Sequence, residues 1–167
     1  MASRDELWKA SWDTFYDAYY YQILFSELSK KWQKFDFITR LLVALTAPTS
    51  AVAGWALWND DEFKVYWVVF AGLSSLVSIL HSTSNTGEKL KQYAKLSNDI
   101  SNVRIKFEAL RHELSIFPDF DVEDNFDKYQ NLRDMYHQAI AAHTPDFMTT
   151  SKIENKSQDI LNKKLNV

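Results

Sequence analysis

Three of the four histidines, with acidic residues near them in the sequence, are the first candidates for acid–base or metal chemistry in this chain. They are His112, His137 and His143, with Glu113 and Asp134 as the nearest acidic candidates. None of these histidines has the i, i+4 spacing with an intervening glutamate that typifies a helical metal-binding pair. The sequence also lacks a nucleophile elbow, a Walker loop and a dinucleotide fingerprint. We therefore expect a protein that is not an enzyme, with no catalytic, cofactor-binding or metal-binding residues.

The composition narrows the class further. The chain has 167 residues, a net charge of -3 and no cysteine. This length is enough for about one domain, and the absence of cysteine excludes disulfides and cysteine-ligated metals within the chain. The slightly acidic charge argues against direct nucleic-acid binding, which depends on basic surfaces.

Two long segments without a charged residue dominate the middle of the sequence, Leu41–Asn59 and Val65–Gly87. An uncharged run of about 18 residues or more can cross the ~30 Å hydrocarbon core of a bilayer as a helix. The pair predicts a transmembrane hairpin (37–86), with spans at about 38–58 and 65–84. A soluble protein that buries the hairpin is an alternative, but little other chain is available to cover it. A cleaved signal peptide ending near Ala51-Val52-Ala53 is another, but the run begins too far from the N-terminus.

Basic residues set the expected orientation. The segment before the first span has several lysines and an arginine, the segment after the second has several more, and the connecting loop has only Lys64. The positive-inside rule then places both termini in the cytoplasm, with the hairpin in the bacterial inner membrane. The lipid bilayer is therefore an expected partner.

The N-terminal segment (1–36) is predicted to lie within a long helix from residue 4 to residue 40, with Ser3 and Glu6 as a capping box. One face of this helix is aromatic, because large apolar residues recur every three or four positions. This face either packs against another helix or docks a partner; its residues are Trp8, Trp12, Phe15, Tyr19 and Ile23.

Small and hydroxyl-bearing residues form a stripe along the second predicted span. Such a stripe either lets helices pack closely or lines a pore formed by several subunits. Its residues are Ala71, Ser74, Ser75, Ser78 and Ser82.

The segment after the hairpin (87–143) is predicted to be helical to about Ile116, with a second helix after the acidic turn near Asp121 that continues to about Ala142. Its first helix has an apolar seam at heptad spacing, which predicts a coiled coil between copies or packing against the N-terminal helix. The seam consists of Tyr93, Leu96, Ile100, Val103, Phe107, Leu110 and Leu114. The remaining polar tail (144–167) is expected to be mobile or to dock, with Leu161 and Leu165 as candidates for a last short helix.

This layout resembles the SLATT family, the SMODS- and SLOG-associating two-transmembrane effector domains of bacteria. The resemblance covers roughly residues 10–140 and rests on the aromatic segment WDTFYDAYYYQILF (Trp12 to Phe25), the basic stretch, the hairpin and the long helix that follows. It implies an all-α membrane effector of an anti-phage or related conflict system, with a cytoplasmic sensor or signal-producing protein as partner.

Taken together, these features predict an oligomeric membrane effector that forms a pore or disrupts the membrane when triggered. The alternative is a membrane-anchored scaffold whose helices recruit a cytoplasmic partner.

Overall fold

The described part of the chain is almost entirely helical. The structure, a computed structural model, describes residues 3–45, 61–116 and 121–166. Five helices lie within these ranges, and the all-helical part of the predicted fold class is confirmed. They are α1 (Arg4–Leu45), α2 (Asp61–Thr83), α3 (Thr86–Ile116), α4 (Val122–Ala141) and α5 (Ser151–Leu165).

The first helix starts at the predicted capping box. The backbone N–H of Ser3 donates to Glu6 Oε2 at 2.8 Å, and the N–H of Glu6 donates to Ser3 Oγ at 3.2 Å. These two bonds satisfy donors that have no partner inside the helix. The helix then continues past the predicted end at residue 40, as far as Leu45.

The predicted transmembrane hairpin is wrong over the residues that the structure describes, where no helix is both long enough and apolar enough to cross a membrane. The expected location in the inner membrane depended on that hairpin and is overturned with it. The second predicted span corresponds to α2, whose later part contains Ser74, Ser75, Ser78, His81 and Ser82. This segment lacks charge, but crossing hydrocarbon requires high hydropathy, which hydroxyl and imidazole groups reduce. The first predicted span beyond residue 45, and the loop as far as residue 60, lie outside the described residues.

The chain divides into two compact units that do not follow the sequence order. Unit 1 combines Met1–Ser29 with Lys91–Val167, and unit 2 is the intervening Lys30–Leu90. Unit 1 therefore contains the first part of α1, most of α3, and the whole of α4 and α5. Unit 2 contains the rest of α1 and all of α2.

The core of unit 1 is formed around the apolar seam of α3. All seven seam residues are at most 3% exposed, and on α1 Phe15, Ala18 and Phe25 are buried with them. Aromatic rings join the helices: the Phe25 and Tyr93 ring centroids are 6.3 Å apart, and those of Phe107 and Tyr129 are 6.1 Å apart. Burying a large apolar side chain contributes about 1.5–3 kcal/mol, so this seam is a major source of the stability of unit 1.

The last two helices complete unit 1. Asp121 caps α4, since its Oδ1 accepts hydrogen bonds from the backbone N–H groups of Glu123 at 2.9 Å and Asp124 at 3.3 Å. The segment predicted as a polar tail contains α5, in which Ser157 and Leu161 are fully buried. Of the two outcomes expected for the tail, docking agrees with the structure.

Candidate interaction surfaces

Among the described residues of unit 2, the largest group of exposed apolar side chains lies on α2. Eight large side chains there each expose more than half of their surface, although they share one side of the helix. At 100° per residue they fall within an arc of roughly 160°. We call them the α2 apolar surface: Val65, Tyr66, Val68, Val69, Leu73, Leu76, Ile79 and Leu80. Contiguous apolar patches of this kind mark interaction sites on folded proteins.

The predicted small-residue stripe runs beside this surface. Ser74 is buried, Ser78 is half-buried, and Ala71, Ser75 and Ser82 are exposed. The hydroxyls of Ser75 and Ser82 bond back to their own helix, donating to the carbonyls of Ala71 and Ile79 at 3.0 Å each. These serines therefore present little unpaired polarity, and the stripe is compatible with close helix packing. Its predicted role in a pore depended on membrane-crossing helices.

Gly72 lies within the arc of the α2 apolar surface. A Cβ atom placed there would meet no other atom within 4 Å. The backbone at this position is therefore open to close approach from outside the chain.

A histidine–threonine contact joins α1 and α2 within unit 2. The Thr39 hydroxyl on α1 lies 2.8 Å from His81 Nδ1 on α2, and it also lies 2.8 Å from the Phe35 carbonyl oxygen. On the same part of α1, Asp36 and Arg40 form an ion pair at i, i+4 spacing, with Arg40 Nε 2.9 Å from Asp36 Oδ2. His81 thus has a structural partner inside unit 2.

The aromatic face of α1 packs inside unit 1. Phe15 and Ile23 are buried, whereas Trp8 remains 42% exposed. The guanidinium of Arg111 on α3 lies 4.1 Å from the ring centroid of Trp12 and 5.0 Å from that of Trp8. Burial lowers the pKa of Arg111 from its ordinary value. Of the two outcomes proposed for this face, helix packing agrees with these contacts.

The arginine partners of this aromatic face were missed at the sequence level. Arg104 lies 4.8 Å from the Tyr19 ring centroid, and it is one heptad before Arg111. The sequence did contain a signal for these contacts: each arginine comes one residue after a seam position, Val103 or Leu110. Such positions lie beside the buried stripe of a helix.

Helix α5 docks on α1 through a set of polar contacts. Lys156 Nζ lies 2.5 Å from Glu27 Oε2, and the Tyr16 hydroxyl donates to Asn162 Oδ1 at 3.0 Å. Gln158 Nε2 donates to both Tyr16 Oη and Asn162 Oδ1. Because Lys156 meets Glu27 while Asn162 meets Tyr16, α5 runs opposite to α1.

A groove of about 460 Å³ lies between α3 and α4 in unit 1. Leu96, Val103, Met135, Ala139 and Ala142 contribute apolar lining, and Gln92, Lys95, Asp99, Asn102 and Gln138 contribute polar lining. This volume is in the range of small-molecule sites, but the groove is open and shallow rather than enclosed.

The predicted oligomer seam is occupied inside unit 1. All seven of its side chains are buried within the chain, which agrees with the intramolecular alternative stated for that seam. Contact between copies through this seam stays a prediction, and it would require unit 1 to open.

The three candidate histidines lie in different environments. His112 and His137 are exposed, whereas the half-buried His143 ring packs against Phe25 with the centroids 4.9 Å apart. Next to it, the buried Tyr93 hydroxyl donates to Asp146 Oδ2 at 2.9 Å, and burial together with this bond raises the pKa of Tyr93. In residues 3–45, 61–116 and 121–166 no cluster of three metal-binding side chains occurs.

Comparisons with known proteins assign no relative: no family model, no curated protein and no solved structure matches this chain. The resemblance to the SLATT family therefore stays a prediction from the sequence.

Proposed function

We propose that this protein is a helical scaffold that assembles with further copies of itself through the α2 apolar surface and recruits a protein partner. This retains the second function predicted from the sequence, without its membrane anchor. The observation that carries the proposal is the set of eight large apolar side chains on α2, each more than half exposed.

The α2 apolar surface is large enough to favour contact with a protein partner over exposure to water. Eight such side chains offer on the order of 800 Å², which is the area that each partner contributes to a standard protein–protein interface. Leaving this area in water is unfavourable by ~25 cal/mol for each Å². A second copy of the chain is present in every solution of the protein, so it is the partner that we propose for this surface.

The shape of α2 supports packing between two copies of this helix. Gly72 lies within the apolar arc, and the small residues Ala71 and Ser75 flank it. Small residues let two helix backbones approach closely, and neighbouring bulky residues then interlock around the contact. The back-bonded hydroxyls of Ser75 and Ser82 can be covered without leaving donors unpaired.

Sedimentation velocity over a range of protein concentrations tests this proposal. We expect the wild-type chain to assemble, and the Leu73→Glu, Leu76→Glu double variant to sediment as a monomer, because burying the two carboxylates is unfavourable. The matched control is Ile105→Glu with Ile116→Glu, which places two carboxylates at exposed apolar positions of α3 instead. The control should assemble like the wild type.

The opposite results would reject assembly through α2. A monomeric wild-type chain, or assembly that survives the α2 substitutions, contradicts the proposed interface. Co-sedimentation of the wild type, but not of the α2 variant, with lipid vesicles would assign the surface to lipid instead of to a second copy.

The conflict-system role implied by the SLATT resemblance bears only on when the scaffold assembles. Under it, a sensor or signal-producing partner would bind the scaffold and favour the assembled state, which requires higher affinity for that state. Pore formation is not part of this proposal. Co-expression with a candidate sensor, followed by the same sedimentation measurement on the purified protein, tests whether a partner shifts assembly.

A further inference from the structure

Helix α5 is held on unit 1 by less apolar contact than the other helices. Leu161 is its one fully buried large apolar residue, whereas Ile153, Ile160 and Leu165 are half-buried. Its other contacts with α1 include hydrogen bonds, an ion pair and a cation–π contact. Helices with few buried apolar contacts open locally more easily than the core of the same protein.

A second feature weakens the docking of α5. Ser157 is fully buried, and its Oγ atom has no hydrogen-bond partner. A hydroxyl that loses water without gaining a partner opposes the contact that buries it. The interface is therefore not optimised for the helix that occupies it.

The two surfaces have complementary charge. Between Trp12 and Ser29, α1 carries Asp13, Asp17 and Glu27 and no basic residue. Helix α5 has four lysines and two acidic residues. Lys156 pairs with Glu27, and Lys164 Nζ lies 5.3 Å from the Tyr19 ring centroid.

We propose that the α1 surface beneath α5, formed around Tyr16, Tyr19 and Glu27, is a docking site for a lysine-bearing amphipathic helix of a partner protein. Helix α5 is the intrachain occupant of this site, and the partner helix takes its place. The inference rests on the recruiting role proposed above, which it locates on the chain, and it does not depend on assembly through the α2 apolar surface.

Because α5 already occupies the site, a partner helix must compete with it for binding. Because α5 is tethered through residues 142–150, its effective concentration at the site is high. A partner helix binds only to the fraction of molecules in which α5 is released, so its apparent affinity falls by that fraction. The weak docking of α5 keeps this fraction large enough for exchange.

A labelled synthetic peptide of residues 150–166 is the probe, used with the full-length chain. Leu161→Glu in the chain should release α5 and leave the site open. Fluorescence anisotropy should then show that this variant binds the peptide roughly tenfold more tightly than the wild type does, or better. Ser157→Ala removes the unpaired hydroxyl, so this variant should bind the peptide more weakly than the wild type.

Two controls test the specificity of the site. A peptide that carries the same Leu161→Glu change should bind none of the chains. Lys156→Glu is a second releasing variant, chosen because the Lys156 side chain is 59% exposed and its substitution leaves the core intact. Adding Glu27→Lys to that variant should restore the ion pair with reversed charges and weaken peptide binding again.

Hydrogen exchange and the α2 double variant complete the test. The proposal is overturned if neither releasing variant binds the peptide, or if α5 amides in the wild type exchange as slowly as those of α3. The chain with Leu73→Glu and Leu76→Glu should bind the peptide as the wild type does. Assembly that survives these two substitutions, together with peptide binding by the releasing variants, would reject the α2 proposal alone. Loss of assembly in the double variant, together with no peptide binding by either releasing variant, would reject this one alone.

Discussion

Helices α2 and α3 follow one another in the chain and both carry a one-sided row of large apolar residues, yet they bury these rows to opposite extents. In unit 1, the seven seam residues of α3 are at most 3% exposed. In unit 2, the eight residues of the α2 apolar surface are each more than half exposed. A helical stripe therefore shows which side of a helix avoids water, but it does not show what covers that side.

The opposite sides of the two helices explain part of this difference. Helix α3 carries exposed charged residues such as Lys95, Lys106 and Glu113 away from its seam, so one side is suited to water and the other to a core. Helix α2 carries serine and alanine where α3 carries charge. From Val65 to Thr83 neither side of α2 carries an acidic or basic residue other than His81, and this is why its sequence resembled a membrane span.

The largest expected contrast comes from matched truncations in the two helices. Phe107→Ala should lower the free energy of unfolding by about 3–5 kcal/mol, because it leaves a cavity in a fully buried site. Leu76→Ala should change it by less than about 0.5 kcal/mol in dilute solution, because that side chain is already exposed. Urea denaturation followed by circular dichroism measures both values. A large loss for Leu76→Ala at low concentration would show that the α2 surface is covered within one chain.

A smaller effect should come from the arginine that covers the aromatic face of α1. Arg111→Lys should lower the free energy of unfolding by about 1 kcal/mol, because an ammonium stacks less well on Trp12 than a planar guanidinium does. The control is Arg133→Lys on the exposed surface of α4, where little change is expected. Intrinsic tryptophan fluorescence should shift in the first variant and not in the second. Equal stability of the two variants would show that the stacking contributes nothing.

The smallest contrast concerns two aspartates on α1, one in each unit. Burial and the nearby Asp13 carboxylate raise the pKa of Asp17, so its charged form is unfavourable in the folded state at neutral pH. Asp17→Asn should therefore raise the stability of the protein by roughly a few tenths of a kcal/mol. Because a raised folded-state pKa favours folding at low pH, the wild type should recover this difference as pH falls towards ~4.

Asp36→Asn in unit 2 should have the opposite sign. It removes the ion pair with Arg40 and should lower stability by about 0.3–0.5 kcal/mol. Thermal unfolding of both variants at pH 7 and pH 4 compares them. If both substitutions shift the midpoint in the same direction, the assignment of opposite environments to these aspartates is wrong.

Much of the helical layout could be predicted from local sequence signals. The Ser3–Glu6 capping box and the Asp36–Arg40 pair depend on residues within one turn of each other, and both are present. The burial of the α3 seam also followed from its periodicity, with its intramolecular role stated as one of two alternatives. These features depend on neighbouring residues or on one face of a single helix, so they can be predicted from the sequence.

The parts that failed or were missed depend on pairings across long sequence separations. Nothing near Lys156 in the sequence indicates that it meets Glu27, and Tyr16 and Asn162 are equally remote from each other. Ile153, Leu161 and Leu165 lie on one face of α5, but this apolar stripe gives no sign of which helix it contacts. The hairpin failed for a different reason, because absence of charge was read as apolarity along Ser74–Thr86.

Gly72 has a consequence for efforts to stabilise this protein. Glycine in the interior of a helix is less favourable than alanine by about 1 kcal/mol, and no atom of the chain would oppose a methyl group at that position. Judged on one isolated molecule, replacement by alanine is therefore an obvious improvement. Protein engineering that evaluates one isolated chain would therefore replace Gly72 first. In our proposal, that residue lies in the surface through which two copies meet.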